Sequence, residues 1–228
     1  MRRRVGPVVL HEGPDAPAPQ QRRDAMTTHL HRGDLPAGLS FGNIVAIDTE
    51  TMGLVPHRDR LCLVQLSAGD GDAHLVQFAK GSYEAPRLRA LLADPAVLKL
   101  FHFGRFDIAV LEHALGVLAQ PVYCTKIAAR LTRTFTDRYG LKDLCKELLG
   151  VDLSKQQQSS DWGADQLTRE QMEYAASDVL HLHALKSRLD VLLQREGRME
   201  LAEAAFRFLP WRARLDLAGW PETDIFEH

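Results

Sequence analysis

The chain has 228 residues, 45% of them hydrophobic and 25% charged, the make-up of a globular protein with a sizeable core. A formal net charge of −2 excludes a global basic field, so a polyanionic partner would have to be held by local Lys and Arg or by bound cations. No run approaches the roughly 18 consecutive apolar residues of a membrane span. The three cysteines, Cys62, Cys124 and Cys145, form no Cys-x-x-Cys pair and fit buried thiols of a reducing cytoplasm better than disulfides or zinc.

Residues 1–25 open with Met1-Arg2-Arg3-Arg4, and their apolar run Val8-Val9-Leu10 is too short for a signal peptide. A disordered N-terminal extension is expected there, with one folded domain over 26–210 and a tail over 211–228. Ile44-Val45-Ala46-Ile47-Asp48-Thr49-Glu50-Thr51 reads as a strand ending in carboxylates, and Leu61 to Leu66 as a second strand. The tight-turn run Gly69-Asp70-Gly71-Asp72 then leads to a third over His74 to Phe78, giving an antiparallel meander. A helix over Pro86 to Leu92, a strand over Val97 to Phe101 and a helix over Phe106 to Leu115 follow. Beyond residue 124 the pattern is helical: Thr125 to Leu131, Leu141 to Leu149, a long helix after Thr168, and a last one over Met199 to Phe208. The fold class expected is α/β (mixed), a central mixed β-sheet with an antiparallel three-strand start flanked by helices and a helical C-terminal half.

Three stations along this order carry chemistry. Asp48 and Glu50 alternate with Thr49 and share one face of their strand, a pairing that invites a hard cation such as Mg²⁺ or Mn²⁺; a turn-ending Asp beside a solvated Glu is the plainer alternative. Asp107 opens a helix after the strand ending at Phe101 and His102, where a carboxylate also complements the helix dipole, and His102 alone is more often a packed histidine than a ligand. Thr168 and Gln171 form a capping box, and Tyr174 and Asp178 stand one turn apart on the helix it starts, as a water-sharing pair or a simple surface pair. His181 and His183 fall on different helix faces and are discarded as a metal pair.

The order and spacing of these stations, with Asp48-Thr49-Glu50-Thr51, Leu63-Val64-Gln65-Leu66, Phe101-His102-Phe103-Gly104, Tyr139-Gly140-Leu141-Lys142-Asp143-Leu144, Ser160-Asp161-Trp162 and Tyr174-Ala175-Ala176-Ser177-Asp178, resemble ribonuclease D, in the tyrosine-containing branch of the DEDD exonuclease superfamily. The resemblance spans approximately Met26 to Pro210 and implies an RNase H-like fold and two-metal 3′→5′ hydrolysis of RNA, as in tRNA or structured-RNA processing, releasing nucleoside 5′-monophosphates. It departs from longer members in lacking their C-terminal helical nucleic-acid-binding domains.

The resemblance also implies roles. Asp48, Glu50 and Asp178 would hold the metal that activates water, Asp48 would bridge to a second, Asp107 would hold that second ion directly or through water, and Tyr174 would orient the nucleophile. Thr51 and Leu54 would meet the terminal nucleotide, Leu54 as a wedge on its base, and His102 would border the substrate. The cofactors are then two divalent ions, Mg²⁺ or Mn²⁺. The expected partners are single-stranded RNA 3′ ends, tRNA precursors among them, with no membrane; a homodimer would widen the binding surface. Phe103 and Phe106 could stack on bases, but core burial is the better expectation. Lys142, Lys155, Arg130, Arg133 and Arg138 are phosphate contacts to weigh against ordinary solvation. A DNA 3′→5′ exonuclease or a non-catalytic RNA-binding scaffold of the same fold are the alternatives, since only contacts to a 2′-hydroxyl separate ribose from deoxyribose.

Overall fold

The computed structural model describes residues 27–154, 156–157 and 159–228, so the arm expected over 1–25 and the basic residue Lys155 lie outside it. The centre of the molecule is strand β2 (Ile44–Thr51), whose leading residues Val45, Ala46 and Ile47 are buried on both sides. Antiparallel to it runs β3 (Leu61–Ser67), buried throughout, and antiparallel to β3 runs β4 (Asp72–Gln77), which completes the expected meander. On the other side β5 (Leu98–Phe101) lies parallel to β2. A strand fully apolar on two faces needs a layer over each, and helices supply them.

Two strands escaped the sequence reading, and both are edges. β1 (Thr27–Arg32) pairs parallel with β4, and β6 (Val122–Cys124) pairs parallel with β5, giving the order β1-β4-β3-β2-β5-β6. The first, Thr-Thr-His-Leu-His-Arg, has a single strongly apolar residue, and the second is three residues long, so neither shows an apolar period of its own.

The helices are α1 (Pro86–Ala93), α2 (Arg105–Leu115), α3 (Thr125–Thr132), the short α4 (Leu141–Leu144) continued by a π-helical turn over Cys145–Leu149, α5 (Arg169–Leu180), α6 (Leu182–Arg195) and α7 (Met199–Leu217). Where one long helix was expected after Thr168, the axis breaks at His181 (φ −102°, ψ −6°). The break lets α5 lie on one face of β3 and β4 while α6 turns away towards α3. The last helix runs on to Leu217 with Pro210 inside it. On the α5 face, Cys62, Leu63, Leu75, Trp162 and Ala175 form their own small core, and the larger cluster fills the other layer. The three cysteines are buried free thiols, and among the described residues no helix is long and apolar enough to cross a membrane.

Candidate active site

The parallel strands β2, β5 and β6 end along the same edge of the sheet, where mixed sheets gather their chemistry. β2 brings Asp48 and Glu50 to this edge. From the opposite layer α5 brings Tyr174 and Asp178, and its phase is fixed at its start: the Gln171 backbone N–H donates to Thr168 Oγ1 (3.2 Å) while the Thr168 N–H donates to Gln171 Oε1 (2.9 Å). One oxygen each from Asp48, Glu50 and Asp178 lies within 4.8 Å of the others. That cluster, spread over the first and last stations of the sequence, has the spacing and the hard oxygen donors of a divalent-cation site.

Asp107 comes from the first turn of α2 and is only 4% exposed. Its Oδ1 accepts a 2.6 Å hydrogen bond from Thr49 Oγ1, so the residue between the two strand carboxylates anchors the fourth one. The turn delivering Asp107 is tight. Gly104 passes so close to Phe101 that a Cβ there would lie 2.6 Å from the Phe101 Cβ, and Phe103 takes a left-handed backbone (φ 64°), the one described non-glycine residue to do so. Such a conformation costs on the order of 1–3 kcal/mol and persists where surrounding structure demands it. Arg105 then clamps the helix start to α7 through two bonds to Asp216, at 2.6 and 2.8 Å.

Burial and mutual repulsion act on these carboxyls together. Asp48 is pushed well above the ordinary carboxylate range by burial and then by the charges of Asp107, Asp178 and Glu50. Glu50 is raised to about 9 by burial, Asp178 and Asp107. Asp107 and Asp178 each rise to about 7, chiefly through burial. Four acids crowded together in this state, Asp107 buried and the other three half-buried, must share protons or surround a cation, and the donor set fits a divalent metal. The Tyr174 hydroxyl is raised by burial and by Asp178, Glu50 and Asp48 in turn, so it stays protonated and can donate to an oxygen at the cluster.

The remaining sequence candidates divide. Thr51 Oγ1 donates to the Gly53 carbonyl at 2.5 Å and shapes the turn that leaves Leu54 84% exposed beside the site. Carrying the β2–β5 register past Leu100 brings His102 level with Asp48. Its Nδ1 is 2.9 Å from Thr125 Oγ1, and burial, then Lys126, lowers it to about 3, a neutral ring tying the ends of β5 and β6. Among the basic residues, Arg133 is 3% exposed and paired with Glu147, and Lys142 pairs with Asp152 at 3.3 Å. Arg130 stands exposed over the Tyr139 ring, and Arg138 is exposed. Phe106 packs against the core as expected, but Phe103 does not: its left-handed turn points the ring outward, 49% exposed.

Two residues support the site in a role that the sequence reading did not give them. One is Thr49; the other is Gln65, fully buried opposite Asp48, whose Nε2 lies 3.5 Å from Glu50 Oε1. The signal for Gln65 was available, a polar residue inside the apolar strand Leu63-Val64-Gln65-Leu66.

Comparison with known proteins shows a family likeness. A family model described as 3′-5′ exonuclease matches residues 34–194. A ribonuclease D of Granulibacter bethesdensis is 38% identical over 155 residues, which are 68% of this chain and 39% of that protein. The chain thus spans about two fifths of the curated relatives it matches. Among solved structures, Brucella melitensis NrnC bound to pGG is 58% identical with a TM-score of 0.87, covering 90% of this chain and 100% of that one. A second structure of that protein carries bound Mg²⁺. Escherichia coli RNase D, an exoribonuclease involved in structured RNA processing, is 30% identical with a TM-score of 0.67, over 76% of this chain and 45% of its own.

Proposed function

Because the chain belongs to the 3′-5′ exonuclease family, we propose that it is a metal-dependent, ribonuclease D-like 3′→5′ exoribonuclease that releases nucleoside 5′-monophosphates from RNA ends. The observation that carries this reading is the convergence of Asp48, Glu50 and Asp178 within 4.8 Å, with Asp107 locked beside them by Thr49. Asp48, Glu50 and Asp178 would hold one divalent ion and Asp107, with Asp48, a second; Mg²⁺ fits through the relative that carries it, and Mn²⁺ has the same donor preference. When bound, such ions lower the pKa of water and offset charge on the phosphate.

The protein's own residues do the rest. Tyr174, held protonated, orients an attacking water by donating towards it across the Asp178 carboxylate. Leu54, exposed on the turn shaped by Thr51, would wedge against the last base, and His102, held by Thr125, would border the substrate. Buried, unpaired thiols suit action in a reducing cytoplasm.

For the substrate, relatives named ribonuclease D favour structured RNA ends such as tRNA precursors, whereas the pGG bound by the 58% identical relative favours very short RNA as a second reading. One time course tests both: 5′-labelled tRNA precursor, single-stranded RNA, pGG and a DNA counterpart, with Mg²⁺, Mn²⁺ or EDTA, beside Asp48→Ala. Metal-dependent shortening from the 3′ end of RNA, absent in the variant, is the expected result. Equal cleavage of DNA would shift the assignment to a general exonuclease, and RNA binding without cleavage to a scaffold.

A further inference from the structure

Phe103 combines three features that core packing does not explain. Its backbone is left-handed, its ring is half exposed although the chain is otherwise well buried here, and it sits on the turn between the end of β5 and Asp107, at the sheet edge that bears the carboxylates. One face of the ring is already taken: Lys126 Nζ lies 4.0 Å from its centroid. The exposed area therefore belongs to the other face and the edge. A turn held in an unfavourable conformation so as to present an aromatic ring to solvent marks a place where the ring is used.

The surrounding charge has the sign a nucleic acid needs. Lys126 follows Thr125 at the start of α3, and Arg130 stands one turn further along the same helix, over the ring of Tyr139. Among the described residues neither cation is joined to a carboxylate, in contrast to Arg133 and Lys142 nearby. Two cations one helical turn apart are each laid on an aromatic ring, and the first of them lies against the turn that delivers Asp107. Single-strand binders use this alternation, with rings for bases and cations for the linkages between them.

We propose that Phe103 and Lys126 form a subsite for the nucleotide on the 5′ side of the scissile bond, the open face of the ring stacking on its base and the ammonium pairing with its phosphate. The subsite rests on the exoribonuclease reading and assigns what that reading lacks, a grip on the nucleotide that precedes the one released. Because stacking accepts any base, the subsite confers tolerance of sequence and a preference for unpaired ends.

The test is fluorescence anisotropy of a labelled tetranucleotide RNA with the Asp178→Asn protein, which removes one cluster charge and hydrolysis with it. Phe103→Asn keeps a residue that accepts the left-handed turn and deletes the ring; Phe103→Trp keeps an aromatic surface. Asparagine should weaken binding about tenfold and tryptophan less than twofold, as expected for one stacked base. Lys126→Gln should lower the slope of log affinity against log salt by about 0.7, the share of one phosphate on a single strand. Unchanged affinity with asparagine, equal losses with asparagine and tryptophan, or an unchanged salt slope would each overturn the subsite. Its failure is separable from failure of the function: a protein that binds RNA through Phe103 yet cleaves none in the active form keeps the subsite and loses the exonuclease, and the reverse result does the opposite.

Discussion

At the scale of single residues the cluster sets two opposing demands, and both are measurable. Asp48→Asn removes a proposed metal ligand and should abolish RNA hydrolysis, assayed with Mg²⁺ and labelled RNA. The same change should stabilise the metal-free fold, since it removes a half-buried carboxyl from among three others. The pH dependence follows from the direction of the shifts. Glu50 binds its proton up to about 9 in the folded chain, whereas an unfolded glutamate loses it near about 4.3. Between these limits the folded state holds more protons than the unfolded one, so metal-free stability falls as pH rises. Melting temperature in EDTA should accordingly drop by several degrees from pH 5 to pH 9, less in Asp48→Asn; parallel curves for the two proteins would refute the electrostatic account. Tyr174→Phe should slow hydrolysis by roughly 10²-fold, as loss of water alignment does, with little change in Mg²⁺ affinity measured by calorimetry.

At the scale of elements, the site depends on how two helices start. Thr168→Ala removes the cap of α5 and should cost about 1 kcal/mol, read as a melting temperature lower by about 2–4 °C, with lower activity because Tyr174 and Asp178 ride on that helix. Gly104→Ala drives a Cβ against Phe101 and should cost about 1–3 kcal/mol while displacing Asp107; a variant of wild-type stability and rate would show that the turn can yield. The elements that mattered to the site were legible in the sequence for physical reasons. β2 has a long apolar run ended by carboxylates, and α5 carries its own start signal in Thr168 and Gln171. What stayed hidden was tertiary: β1 and β6 exist because a neighbour offers them an edge, His181 breaks a pattern that helical spacing alone continues, and the outward ring of Phe103 follows from a backbone angle that no periodicity records.

At the scale of the whole molecule, the proposed cation site would join the layers in addition to the core. A ligand that binds only the folded state stabilises it by about 2.7 kcal/mol at a hundredfold excess over its dissociation constant. Saturating Mg²⁺ should therefore raise the melting temperature by about 5–10 °C, an effect lost in the Asp48→Asn, Asp178→Asn double variant. Convergence of Asp48, Asp107 and Asp178 from widely separated stretches has a further consequence, in time. During synthesis β2 and α2 leave the ribosome well before α5, and α5 must then dock on the finished sheet before the carboxylates meet. On the exoribonuclease reading, a growing chain tethered to messenger and transfer RNA would thus be silent towards both until α5 is in place.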